Sequence, residues 1–297
     1  MTVIASPYLE GRDRYERRMT GRVDATPAAA LTHTVHLADE DGAVELVTVC
    51  TPSPGYEVLE ARGTALGGDA NPAVAVDLGG LAGARMIGGF TRRLLELAAG
   101  RPGAGLFVDA AIEVARLARQ VARMPRARVA MVRPGDTRGF WALDSEGWVD
   151  LPSSCFTYSA AGRTALESRP VRAAARPDLY SPPEGAHGVF QRRKLARLVR
   201  TGERLDLFHA MHDDIHGFDL HLEVDLARGV IVAADSITSR LPYRGVCDEP
   251  QGRFAKLVGE RMDQALRKRI QTGLGGEAGC GQLYDLTADL LKLLHLE

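Results

Sequence analysis

The sequence predicts an α+β protein made of two tandem related units, each an antiparallel β-hairpin or sheet followed by two helices. Three observations carry this. An offset of 176 residues lays Leu81–Leu117 over Leu257–Leu293 without a gap, matching Gly83 with Gly259, Arg85 with Arg261, Met86 with Met262, Gly100 with Gly276, Gly103 with Gly279 and Asp109 with Asp285. The same offset sets His33 and His36 over His209 and His212. In each copy, stretches of period two come before stretches of period 3.6, which is the order of an α+β fold and not of alternating βαβ units. The expected boundaries are 1–125 for the first unit, 126–180 for a connecting segment and 181–297 for the second unit.

Taken in order, "AVELVTV" and "YEVLEA" predict a hairpin around "TPSPG". Leu81–Ala98 follows as a helix, weakened at Gly88 and Gly89 by about 1 kcal/mol each relative to alanine. Val108–Met124 is the second helix, stopped by Pro125. In the connecting segment "ARVAMVR" reads as a strand and "RPVRAAARPDLYSPPEGA" as a proline-rich linker. In the second unit "FDLHLEVDL" alternates Phe218, Leu220, Leu222 and Val224 with polar residues, and "VIVAADSI" returns as its hairpin partner. Phe254, Leu257, Val258, Met262, Leu266 and Ile270 then form one helical stripe, ended by Gly273, Gly275 and Gly276. A last helix carries Leu283, Leu286, Leu290, Leu291 and Leu294 on one face.

The formal net charge of −1 provides no field to draw in nucleic acid or an anionic membrane, so neither is expected as a partner. No apolar run approaches the roughly 20 residues of a membrane span. The N-terminus lacks the apolar core of a signal peptide, and the four cysteines are far apart. These features predict a cytoplasmic chain with reduced thiols.

Cys280 sits in "GGEAGCGQLYD", at the start of a helix whose free N–H groups and dipole can lower a thiol pKa. Its counterpart in the first copy is Ala104, so a small residue in a tight turn explains it equally well. "HAMHDDIH" supplies His209, His212 and His216, with Asp213 and Asp214 between them. His212, His216, Cys247, Cys280 and Asp285 form an expected ligand set for zinc or iron, although no C-x-x-C or H-E-x-x-H spacing is present. Arg85 and Arg261 suit an anionic ligand in a cleft between the units, because a guanidinium pairs bidentately with carboxylate or phosphate. Arg116, Arg119, Arg123 and Arg126 form a basic stripe that reads first as a solvated helix face.

The order Pro242, Cys247, Gly259, Gly275, Gly276, Gly279, Cys280 and Leu283 resembles the bacterial family known as domain of unknown function 2889, over roughly Phe190 to Leu294. Gln282 stands where that family carries histidine. The resemblance implies kinship of fold and no assigned activity. A fainter similarity to iron–sulfur cluster assembly scaffolds implies His216, Cys247 and Cys280 as ligands. Three functions stay open: a protein binding a small molecule or metal at the second unit, an enzyme acting on an anionic small molecule between the units, and an interaction module exposing an apolar patch near Trp141 and Trp148. Two like halves in one chain also fit a monomer that mimics a dimer internally.

Overall fold

Leu31, His33, Val35 and Leu37 are buried, whereas Thr32, Thr34 and His36 are only partly so. This is the alternation of a strand with one face on a core. In the computed structural model, which describes residues 4–26, 29–67, 73–86, 90–101 and 103–296, that pattern recurs from strand to strand. The elements in chain order are β1 (Ile4–Ala5), β2 (Arg14–Asp24), β3 (Leu31–Asp39), β4 (Gly42–Cys50), β5 (Val58–Leu66), β6 (Val74–Asp77), α1 (Phe90–Ala98), α2 (Ala104–Leu117), α3 (Arg126–Ala130), α4 (Thr137–Gly147) and α5 (Ala160–Ser168). They continue with β7 (Arg172–Ala173), β8 (Phe190–Thr201), β9 (Arg204–Asp213), β10 (Gly217–Asp225), β11 (Val230–Arg240), β12 (Tyr243–Arg244), α6 (Leu266–Leu274), α7 (Gly281–Leu291) and β13 (His295–Leu296).

Among the described residues, nine strands form one antiparallel sheet in the order β11-β10-β9-β8-β2-β3-β4-β5-β6. The fold is thus of the α+β kind. Strands β2 and β8 pair at its centre, with Met19 opposite Lys194. Each of these two central strands begins a meander that runs outward to an edge. Helix α2 packs on β2, β3 and β4, and α7 packs on β9. The close approach of α2 accounts for two strand glycines. A Cβ on Gly21 would meet Leu117 at 2.7 Å, and one on Gly63 would meet Phe107 at 2.8 Å.

Both hairpins lie where the sequence places them, β4 with β5 and β10 with β11. The helices differ. In place of one helix over Leu81–Ala98, a 3-10 turn at Gly79–Leu81 precedes α1, which begins at Phe90; Gly88 and Gly89 fall outside the described residues. In place of one stripe from Phe254 to Ile270, a 3-10 segment at Gln251–Leu257 and helix α6 are separated by Gly259, whose φ of 91° no helix accommodates. Apolar spacing cannot see such a break, because residues on either side still face the same core. The second helix of the first half is α2, which ends at Leu117, well before Pro125. "ARVAMVR" holds the short helix α3 and not a strand. The expected linker also carries structure: β7 pairs with β12, and the backbone N–H groups of Ala122 and Met124 donate to the carbonyls of Leu179 and Tyr180.

Candidate ligand cavity

The connecting segment docks against the second half of the sheet, and a cavity of about 350 Å³ lies between them. Its walls come from α4, the chain after α4, the β9–β10 turn, the segment after β11 and the first turn of α7. Aromatic side chains dominate: Trp148, Tyr158, Tyr180, Phe218 and Tyr243. Polar side chains stand among them, including Arg119, Gln120, Asp144, Asp150, His216 and Gln282.

One wall is a carboxyl held by phenols. The Tyr180 hydroxyl donates to Asp144 at 2.6 Å and that of Tyr158 at 2.8 Å, and the Tyr243 hydroxyl donates as well. Burial pushes the Asp144 carboxyl up to about 6, against the three donors, which stabilise its charge. Burial, together with the Asp144 charge, also pushes the three phenols up, so they remain neutral donors.

A second wall carries His216. Asp213 ends β9, and its Oδ1 accepts from the backbone N–H groups of Ile215 at 2.7 Å and His216 at 2.5 Å, which closes the turn into β10. The same carboxylate accepts from Arg192 Nε at 2.8 Å and stands 3.2 Å from His216 Nδ1. Burial works to raise the Asp213 pKa, but the charges of His216 and Arg192 hold it far below the usual carboxylate range. An ionised Asp213 can only accept, so Nδ1 carries a proton in either form of the ring, and Nε2 is the acceptor when the ring is neutral.

The thiols form the floor. Cys247 Sγ lies 2.9 Å from Thr157 Oγ1. Cys280 caps α7, and its neighbour Gly279 accepts from the backbone N–H of Phe156 at 2.8 Å, which pins the connecting segment to the glycine turn. Burial pushes Cys280 up to about 11, more than the N–H groups of Leu283 and Gln282 lower it. Burial raises Cys247 and Cys155 as well. These thiols are protonated near neutrality and are not prepared as nucleophiles.

The residues singled out from sequence are divided by the fold. His216, Cys247, Cys280 and Asp285 all line the cavity. His212 does not: it points to the solvent side of β9 and bonds Asp219 at 2.9 Å. Asp285 is committed to Arg116 at 3.1 Å. Among the described residues, no group of three or more histidine, cysteine, aspartate or glutamate side chains is placed to hold a metal ion. Arg85 and Arg261 are not brought together. Arg85 bridges Glu57 beside β5 and bonds the carbonyls of Pro54 and Gly55, while Arg261 bridges Val230 at the edge strand β11. Seven strand spacings of about 4.8 Å separate β5 from β11, so one small ligand cannot span them. Of the arginines read first as a solvated face, Arg116 pairs with Glu113, Asp285 and Asp289, Arg119 pairs with Asp150, Arg123 bonds the carbonyls of Ala25 and Ala30, and Arg126, which begins α3, is exposed. Of the two tryptophans expected near an apolar surface, Trp148 is 4% exposed and forms part of the cavity wall, while Trp141 is partly buried and Val149 is exposed.

Asp144 and Arg192 carry no sequence signal as site residues; the sequence marks Asp213 only as a carboxylate within "HAMHDDIH", and Trp148 only as part of a surface patch. Asp213 stands inside "HAMHDDIH" and Arg192 inside "FQRRK", but nothing local marks either as buried. Their pairing depends on the β8–β9 register, in which Arg192 faces Asp213.

Residues 198–294 match the family model described as Protein of unknown function (DUF2889). The DUF2889 match covers about a third of the chain and supports the resemblance read from the sequence. It holds His216, Cys247, Cys280 and Asp285, while Arg192 and the wall from the connecting segment lie outside it. No curated protein and no solved structure matches the chain. Among the described residues, no helix is long and apolar enough to cross a membrane.

Proposed function

We propose that this protein binds a small, largely apolar organic molecule in the cavity between the connecting segment and the second half of the sheet. One observation carries the reading. The cavity is lined by a buried donor without a partner, the Trp148 indole Nε1–H, and by His216, whose Nδ1 side is taken by Asp213. A buried donor left unpaired costs about 1–3 kcal/mol, so a ligand acceptor that meets it recovers that cost. The volume lies at the small end of the range of small-molecule pockets and has room for a compact aromatic molecule.

The reading of the chain as two tandem units is supported by like positions in the two halves. Gly83 and Gly259 both take positive φ, as do Gly100 and Gly276, and β2 meets β8 between two similar meanders. In this reading the ligand site belongs to the second unit, and the connecting segment completes it.

Thermal unfolding in the presence of benzaldehyde, benzyl alcohol and 4-hydroxybenzaldehyde tests the proposal. A ligand at 100 times its Kd adds about 2.7 kcal/mol to the stability of the folded state, a rise of a few degrees in Tm. The expected result is such a rise for at least one compound in the wild type and none in Ala175→Trp, which fills the cavity from its wall. Equal shifts in both proteins, or no shift in either, contradict the proposal.

A further inference from the structure

The arrangement around His216 goes beyond recognition. Asp213 holds the imidazole from the Nδ1 side and is itself held by Arg192, whose side chain is fully buried and 2.7 Å from the carboxylate. Arg240 on β11 anchors the turn by donating to the Asp213 carbonyl. An imidazole backed in this way keeps one tautomer and one orientation, and the adjacent carboxylate stabilises the imidazolium that forms when Nε2 takes a proton. The His216 side chain is 11% exposed, so most of the ring is shielded from water. The charged groups facing the ring are Asp213 on its own turn, Arg192 from β8 and Asp144 from α4.

The ligand that completes such a site must present a proton to Nε2 and an acceptor to the indole N–H of Trp148. Its body must stack among Phe218, Tyr158, Tyr180 and Tyr243. A hydroxylated aromatic ring, or an enol, conjugated to a carbonyl-type oxygen has all three features. The hydroxyl hydrogen is also acidic for the same reason that the distant oxygen is a good acceptor: the charge left on ionisation delocalises through the ring to that oxygen.

Building on the binding proposal above, we infer that His216 is a general base and that the cavity takes up a small phenol or enol conjugated to a carbonyl-type acceptor as its anion. The O–H bond breaks heterolytically. Its electron pair stays on the ligand oxygen and delocalises toward the acceptor oxygen, where the Trp148 N–H donates to it. The proton goes to His216 Nε2, forming an imidazolium paired with Asp213. No oxidant, metal or second substrate enters the step.

The test uses 4-nitrophenol, whose anion and neutral form absorb at different wavelengths. Binding is measured by equilibrium dialysis, and the ionisation state of the bound fraction by its absorption, at a pH about one unit below the pKa of the free phenol. The inference expects bound probe with the anion band in the wild type. It expects bound probe with the neutral band in His216→Gln, and the anion band retained with about 3- to 10-fold weaker binding in Trp148→Phe. Probe bound to the wild type in its neutral form overturns the inference and leaves the binding proposal standing. An anion band that persists in His216→Gln also overturns it. Failure of the wild type to bind the probe, while another single-ring compound raises its Tm, removes the phenol class alone. Failure of every compound removes both.

Discussion

His33 shows what one residue contributes here. It is buried on β3 with both ring nitrogens unpartnered, and burial pushes its pKa down to about 4, with Asp24 opposing. His209 on β9 is pushed down to about 4 by burial, with Lys194 adding to the effect. A base with a depressed pKa contributes stability that is fully present above its unfolded value of about 6.5 and is lost as pH falls through the folded value. Each histidine therefore withdraws about 3 kcal/mol as pH falls from 6.5 to 4. Asp144 opposes this trend, because a carboxyl raised to about 6 makes the fold more stable as pH falls from there toward 4. The expected outcome is a net loss of stability into mild acid, smaller by about 2–3 kcal/mol in His33→Leu, which at pH 7 is at least as stable as the wild type. Urea unfolding at pH 7 and pH 4.5 measures both; equal losses in the two proteins would refute the assignment. The sequence placed His33 opposite His209, yet gave no sign that both are buried, because burial depends on helices packing from elsewhere in the chain.

At the scale of elements, the turn before α7 was the most readable feature. Its glycines are explained by backbone crowding. A Cβ on Gly279 would sit 2.0 Å from the Leu274 carbonyl oxygen and 2.5 Å from that of Gly275. Gly276 has a φ of 68°. Cys280 is then the cap of a helix whose approach is fixed by those glycines and by the bond from Phe156. We expect Gly279→Ala to cost about 2–4 kcal/mol, and to weaken ligand binding in the cavity along with it, because the turn and the cavity wall are the same chain. Chemical denaturation and equilibrium dialysis read the two effects, and an alanine variant as stable as the wild type would show that the turn tolerates a side chain. The hairpins were legible from their alternation and the helical stripes from their spacing. The breaks at Gly259 and after Leu81 were not, since a turn of chain between two core-facing segments leaves the apolar pattern intact. Nor were β2 and β8, whose charged residues disguise the period of two: Arg17, Arg192 and Lys194 all lie on the buried face.

Across the whole molecule, those buried charges join the halves. Lys194 on β8 meets Glu113 of α2 at 2.7 Å and Asp289 of α7 at 3.4 Å, and Arg116 of α2 reaches both Glu113 and Asp289. Such a network is weak evidence for stability, because desolvating each charge offsets much of the attraction, but it fixes where the two halves meet. The sheet is continuous through that junction, where a small cavity of about 50 Å³ lies between the halves beside Glu113, Lys194 and Asp289; the larger cavity lies at one end, closed by the connecting segment. That segment looked like a linker because its prolines and arginines interrupt every period. Its role became visible only when Asp144 and three tyrosines distant in sequence converged.

The most direct test of a ligand in that cavity follows the two tryptophan indole N–H signals by nuclear magnetic resonance during titration with 4-hydroxybenzaldehyde. Trp141 already donates to the Thr157 carbonyl at 3.1 Å, whereas Trp148 has no partner. The account predicts a saturable downfield shift of the Trp148 signal, assigned by its loss in Trp148→Phe, with the Trp141 signal moving little. A Trp148 signal that stays in place while the compound binds elsewhere, or no change in either signal at saturating compound, would contradict it.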